Sequence, residues 1–95
     1  MAIQGRRTRF HALERLVRGF SNHRRIEMLD LMENRPEMSV AGIAEALKIN
    51  FKTASEHIRR LAIAGLVLKR SDGNSIRHKL TDRAVSILKF LRILE

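Results

Sequence analysis

The sequence predicts an α+β chain, mostly helical, with about five helices and one two-stranded β-hairpin in a single domain over residues 1–95. Three observations carry that expectation. Apolar residues recur at helical spacing through most of the chain. After Gly65 the period changes to that of a strand. Asp72-Gly73-Asn74 then supplies a turn between two short runs that alternate in character.

In order, Arg6, Arg7 and Arg9 open the chain. They suit either a basic arm reaching phosphates or the solvated start of a first helix, and the helix is the plainer reading. From Phe10, the residues Leu13, Leu16, Val17 and Phe20 form a helical stripe. Gly19 weakens that helix near its end, and Ser21 is placed to cap the next. The second helix, Asn22 to about Asn34, sets Ile26, Leu29 and Met32 on one side with Met28 and Leu31 beside them, as a central core helix requires. Glu27, Asp30 and Glu33 read as its solvent side, and Pro36 ends it.

Residues 39–65 read as two short helices joined by a tight turn. Ser39 caps the first, whose apolar face is Val40, Ile43, Ala44 and Leu47. Ile49 pins the turn between Lys48 and Asn50, and Asn50 caps the second. There Ala54, Ile58, Leu61 and Ala62 share a face, while Phe51, Lys52, Ser55, Glu56 and Arg59 look outward. This is the helix-turn-helix arrangement that enters a DNA major groove. A helical hairpin inside a small bundle is the bland alternative for this stretch taken alone.

The next segment decides between them. Leu66 to Ser71 is a strand candidate, and Ser75 to Leu80 returns with Ile76, His78 and Leu80 on one face and Arg77 and Lys79 on the other. A basic hairpin directly after the second motif helix has no use in a bare bundle; as a wing it lies along a DNA backbone with its cations outward. The fold class is therefore a winged helix-turn-helix, with residues 51–64 as recognition helix and 66–80 as wing. Thr81 caps a last helix, with Asp82 in its first turn. Its apolar residues wrap most of the way round, more than so small a domain can bury. The surplus suits a partner helix, most simply a symmetry mate. Membrane adhesion is the weaker outlet, because the helix is short and its polar face narrow.

Composition agrees. The formal charge is +9, with 19 Lys and Arg against 10 Asp and Glu, which favours a polyanionic partner. It is distributed unevenly: +6 over residues 1–25, −4 over 26–47 and +7 over 48–95. Hydrophobic residues at 44% exclude a disordered tail. Cysteine is absent, which removes disulfides, thiolate metal sites and Cys nucleophiles. No apolar run approaches the ~18 residues of a membrane span, and the start lacks a secretory core. The expectation is a soluble cytoplasmic protein.

The words GFSNHRRIEMLDLM, SVAGIAEALKIN, FKTASEHIRRLAIAGLV and LTDRA, in an order running over residues 10–94, resemble the ArsR-type winged-helix repressors. Several are shared with other winged-helix repressors such as the MarR type. The resemblance implies a homodimer built from the first and last helices that binds a near-palindromic operator. It also implies DNA contacts at Lys52, Thr53, Ser55, Glu56 and His57 and at the wing around Gly73. Metal-sensing members carry two Cys flanking a Val at the start of the first motif helix; here Ser39 and Ala41 flank Val40. Others use His and acidic residues on the last helix, which here has no His.

The expected DNA-binding set comprises Phe51, Lys52, Thr53, Ser55, Glu56, His57, Arg59, Arg60, Lys69, Arg70, Asn74, Arg77 and Lys79. Phosphate neutralisation falls to Lys52 and to the cations from Arg59 onward. Base reading falls to Lys52, Thr53, Ser55 and Glu56, since Lys donates to guanine and Glu accepts from cytosine. Phe51 is read as a staple of the helix start rather than a thymine-methyl contact, and Asn74 as a turn former rather than a minor-groove probe. His57 is left open between a phosphate contact and half-buried packing. The expected dimer surface is Phe10, Leu13, Val17, Ile87, Phe90, Leu91 and Leu94.

No metal and no cofactor is expected: His23 and Glu27 sit at i, i+4 with His11 one helix earlier, but no further ligand pair accompanies them. No catalytic constellation is legible. The main competing function is a winged-helix adaptor that docks its basic face on an acidic protein. RNA binding ranks below both, for lack of aromatic stacking residues.

Overall fold

The computed structural model describes residues 2–95, with side chains from Arg7 onward; the side chain of Arg6 lies outside the described residues. The chain runs α1 (Ala2–Phe20), α2 (His23–Asn34), α3 (Val40–Leu47), α4 (Phe51–Ile63), β1 (Val67–Asp72), β2 (Ser75–Leu80) and α5 (Asp82–Leu94). Five helices and an antiparallel two-stranded hairpin make the winged-helix order expected from the sequence.

Local chemistry sets most boundaries. Ser39 Oγ accepts from the Gly42 amide, Asn50 Oδ1 from the amides of Lys52 and Thr53, and Thr81 Oγ1 from that of Ala84. The cap of α2 is Asn22 and not Ser21: the carboxamide oxygen of extended Asn22 accepts from the amides of both Arg24 and Arg25. At the end of α4, Gly65 takes φ +78. Its amide donates to the Ala62 carbonyl and that of Leu66 to the Leu61 carbonyl, a Schellman closure that wants glycine. The Thr81 hydroxyl donates to the Gly65 carbonyl at 2.8 Å, which ties the start of α5 to the exit of α4.

The core is built around α2. Met28, Leu29 and Met32 are buried against Ile43 of α3, Ala54, Ile58 and Leu61 of α4, Leu66, Val67, and Ala84 and Leu88 of α5. Ile26, expected at the centre, is only half-buried. Leu16 and Phe20 bring the end of α1 onto this cluster. The acids of α2 are not simply a solvent face: Arg92 of α5 donates to Asp30 at 2.9 Å and to Glu33 at 2.7 Å, bracing α5 along α2.

The strand boundary shifts by one residue, to Val67–Asp72, because Asp72 pairs with Ser75 and leaves Gly73-Asn74 as a two-residue loop. Gly73 takes φ +63 at its first position, the conformation this hairpin class reserves for glycine. The root of the hairpin carries a contact with no local signal in the sequence. His78 is 1% exposed, forms a bridge with Met38, and places Nδ1 2.8 Å from the Met38 carbonyl, so that Nδ1–H donates. The His78 amide donates to the same carbonyl and the Glu37 amide to the His78 carbonyl. Among the described residues no helix is long and apolar enough to cross a membrane.

Candidate nucleic-acid interface

The residues expected to read bases lie on the first two turns of α4. The capped start fixes its backbone, and Ala54, Ile58 and Leu61 turn the opposite face into the core. Phe51, Lys52, Thr53 and Glu56 are exposed, while Ser55 and His57 are half-buried. Among the described residues Lys52 pairs with no acid. Phe51 is 58% exposed, so it is a weaker staple than the sequence suggests.

Glu56 sits under a clamp. Arg59 donates Nε to Oε2 at 2.9 Å and Nη2 to Oε1 at 2.6 Å, and Arg60 Nε lies 3.5 Å from Oε1. These partners, the Arg59 hydrogen bonds first, hold the Glu56 carboxyl at about 2. Three residues of the expected set thus form one local ion cluster, and both guanidinium groups are partly neutralised before any ligand arrives. His57 is lowered from the ordinary imidazole value, first by burial and then by the nearby charge of Arg25, with Glu56 opposing. That environment favours neutral packing over a phosphate contact.

Strand register sorts the wing. Arg70 faces Arg77 across the hairpin and Leu68 faces Lys79, so Arg70, Arg77 and Lys79 share a face. Lys69 opposes His78 and lies on the other face, although its side chain is exposed. The sequence reading grouped all four cations outward; the two-residue alternation separates Lys69 from the rest. Two like charges directly opposite repel, and the structure offsets this. Arg70 Nη2 lies 3.2 Å from Glu37 Oε2, and Arg77 Nε lies 3.6 Å from Asp72. Glu37, which the sequence reading did not single out, therefore links the α2–α3 loop to the wing cations. Asn74 is exposed at the tip.

The expected dimer residues divide. Phe10, Leu13 and Val17 of α1 and Phe90 and Leu94 of α5 are exposed, together with Ile93 at 79%, the most exposed large apolar side chain described. Ile87 packs against the protomer's own core, and Leu91 lines a groove between α2 and α5. Among the described residues no group of three or more His, Asp or Glu converges as a metal site; His11 instead lies 3.8 Å from Glu14.

The family model described as bacterial regulatory protein, arsR family, matches residues 22–69, just over half of the chain. No curated protein sequence matches it. Solved structures are similar in fold. A homodimeric winged helix-turn-helix DNA-binding domain from Mycobacterium bovis, described as a possible ArsR-family transcriptional regulator, superposes with a TM-score of 0.84 at 25% identity. That match covers 92% of this chain and 81% of that one. NolR from Sinorhizobium fredii gives 0.86 at 22% identity over 95% and 90%, and reduced HlyU from Vibrio cholerae gives 0.80 at 22% over 96% of each. With its winged-helix order and the match across α2, the helix-turn-helix and the start of the wing, the chain belongs to the ArsR family of bacterial regulatory proteins, which are DNA-binding transcription regulators and not enzymes.

Proposed function

We propose that the chain is a homodimeric, sequence-specific double-stranded DNA-binding repressor, acting by occlusion of a near-palindromic operator. Helix α4 enters the major groove and the β1–β2 hairpin follows the backbone. The carrying observation is the capped, exposed N-terminal face of α4, where Lys52 and Thr53 have no acidic partner among the described residues. Base reading falls to Lys52, Thr53 and Ser55, with Glu56 acting through its clamp. Lys79, Arg77 and Arg70 supply backbone contacts.

Dimerisation uses the exposed apolar residues of α1 and α5. The homodimeric state of the M. bovis domain supports this. A two-fold axis then sets two copies of α4 one or two helical turns apart on the duplex.

The test is gel filtration of the chain together with duplex binding at two salt concentrations. A dimer whose affinity for a selected duplex falls about tenfold or more between ~50 and ~200 mM salt is expected. A monomer with no duplex binding returns the protein to the adaptor reading.

A further inference from the structure

A second basic feature lies away from the first turns of α4. Four helices converge on a cleft of about 520 Å³, within the size range of small-ligand sites. Its walls carry six arginines: Arg15 and Arg18 from α1, Arg25 from α2, Arg59 and Arg60 from α4, and Arg83 from α5. Between them the lining is apolar, with Ala12, Leu16, Ile63 and Ala64.

The charges do not balance. Glu14 pairs with Arg18 at 3.2 Å, and Glu56 serves both Arg59 and Arg60. Among the described residues Arg15, Arg25 and Arg83 have no ion-pair partner. Arg25 goes further: its Nε is buried and makes no hydrogen bond, which is costly for a charged donor. Burial, and then the charge of Arg60, lower the affinity of Arg25 for its proton. A fold that gathers guanidinium groups this way carries self-repulsion that an anion would relieve.

We propose that this cleft binds a small organic anion, a phosphoryl or carboxylate group on an apolar body. Its oxygens meet Arg25 and Arg83, and the apolar part rests on Leu16 and Ile63. Planar guanidinium groups suit such oxyanions because they donate two parallel hydrogen bonds. A lone inorganic ion would leave most of the volume and the apolar part of the lining unused. The inference does not rest on the DNA-binding reading.

The test is calorimetric titration of the 95-residue chain, without DNA, using phenyl phosphate, inorganic phosphate and benzyl alcohol as probes. Saturable binding of one phenyl phosphate per protomer is expected, tighter than inorganic phosphate and with no benzyl alcohol binding. Arg83→Gln and Arg25→Gln should each weaken it roughly tenfold, the scale of one charge-assisted hydrogen bond. Circular dichroism checks the fold, and if Arg25→Gln unfolds, the exposed Arg83 carries the test alone.

No saturable phenyl phosphate binding overturns the proposal, as does binding unchanged in the folded variants. A parallel duplex titration separates the other source of phosphate. If the variants weaken duplex binding while the wild type takes up no phenyl phosphate, these arginines serve the nucleic-acid backbone and the proposal falls.

Discussion

Gly19 and Ala64 touch backbone to side chain: a Cβ added at Gly19 would sit 2.3 Å from the Cβ of Ala64. This contact lets the end of α1 settle against the exit of α4, where a flexible neighbour could yield but a methyl group on a helix cap cannot. Helix propensity alone says that Gly19→Ala should stabilise α1 by about 0.5–1 kcal/mol. Overpacking reverses the sign. Urea unfolding should show the variant less stable by about 1–3 kcal/mol.

The Glu56 clamp makes an unusual prediction for duplex binding. Glu56→Gln removes the negative partner of Arg59 and Arg60 and frees two guanidinium groups for phosphates. Affinity for unrelated duplexes should rise, and the slope of log affinity against log salt should steepen by about 0.9 per added phosphate contact. An unchanged slope in a salt titration would mean that neither arginine faces the duplex.

Sequence preference should reside at the start of α4. Lys52→Ala and Ser55→Ala should alter the base preference recovered by selection from random duplexes, by about 1–3 kcal/mol at the affected position. Arg77→Ala on the wing should weaken all duplexes alike.

His57 adds a pH dependence to stability. Its folded-state pKa lies below the ordinary value of 6.5 because burial and Arg25 disfavour the imidazolium. The unfolded chain therefore takes up the proton first. Stability from this group is complete above pH 6.5 and is lost as pH falls through the folded-state value. Denaturation at pH 7.5 and pH 5.5 should show a larger acid loss for the wild type than for His57→Gln.

Monomers should follow from charge on the exposed apolar faces. Phe90→Glu and Leu13→Glu leave the core intact, since both side chains are largely exposed. Each should shift the gel-filtration volume toward a single protomer and lower duplex affinity by about 100-fold, because one half-site is then held alone.

Much of the fold was legible because its signals are local. Ser39, Asn50 and Thr81 announce three helix starts, apolar spacing marks each helix face, and Gly73-Asn74 marks the hairpin. The segment around α4 followed from the same signals. What escaped depends on residues far apart in the chain. Nothing beside Met38 foretells its pairing with His78, forty residues on. Asp30 and Glu33 looked like ordinary solvent-facing acids until α5 delivered Arg92 to them. The arginine cleft draws on four helices, so no window of sequence contains it. At the caps the difference is finer. Ser21 and Asn22 are both good caps, and backbone geometry, which residue type does not encode, chose the second.

The Met38–His78 stitch has a mechanical consequence. It fastens the ribbon at its base, next to the loop ahead of the helix-turn-helix, and leaves Gly73 at the free end. The distance between α4 and the root of the ribbon is thereby a set length, like the span of a caliper with its hinge locked. Evolution, or an engineer, can lengthen or recharge the outer tip without disturbing where α4 stands.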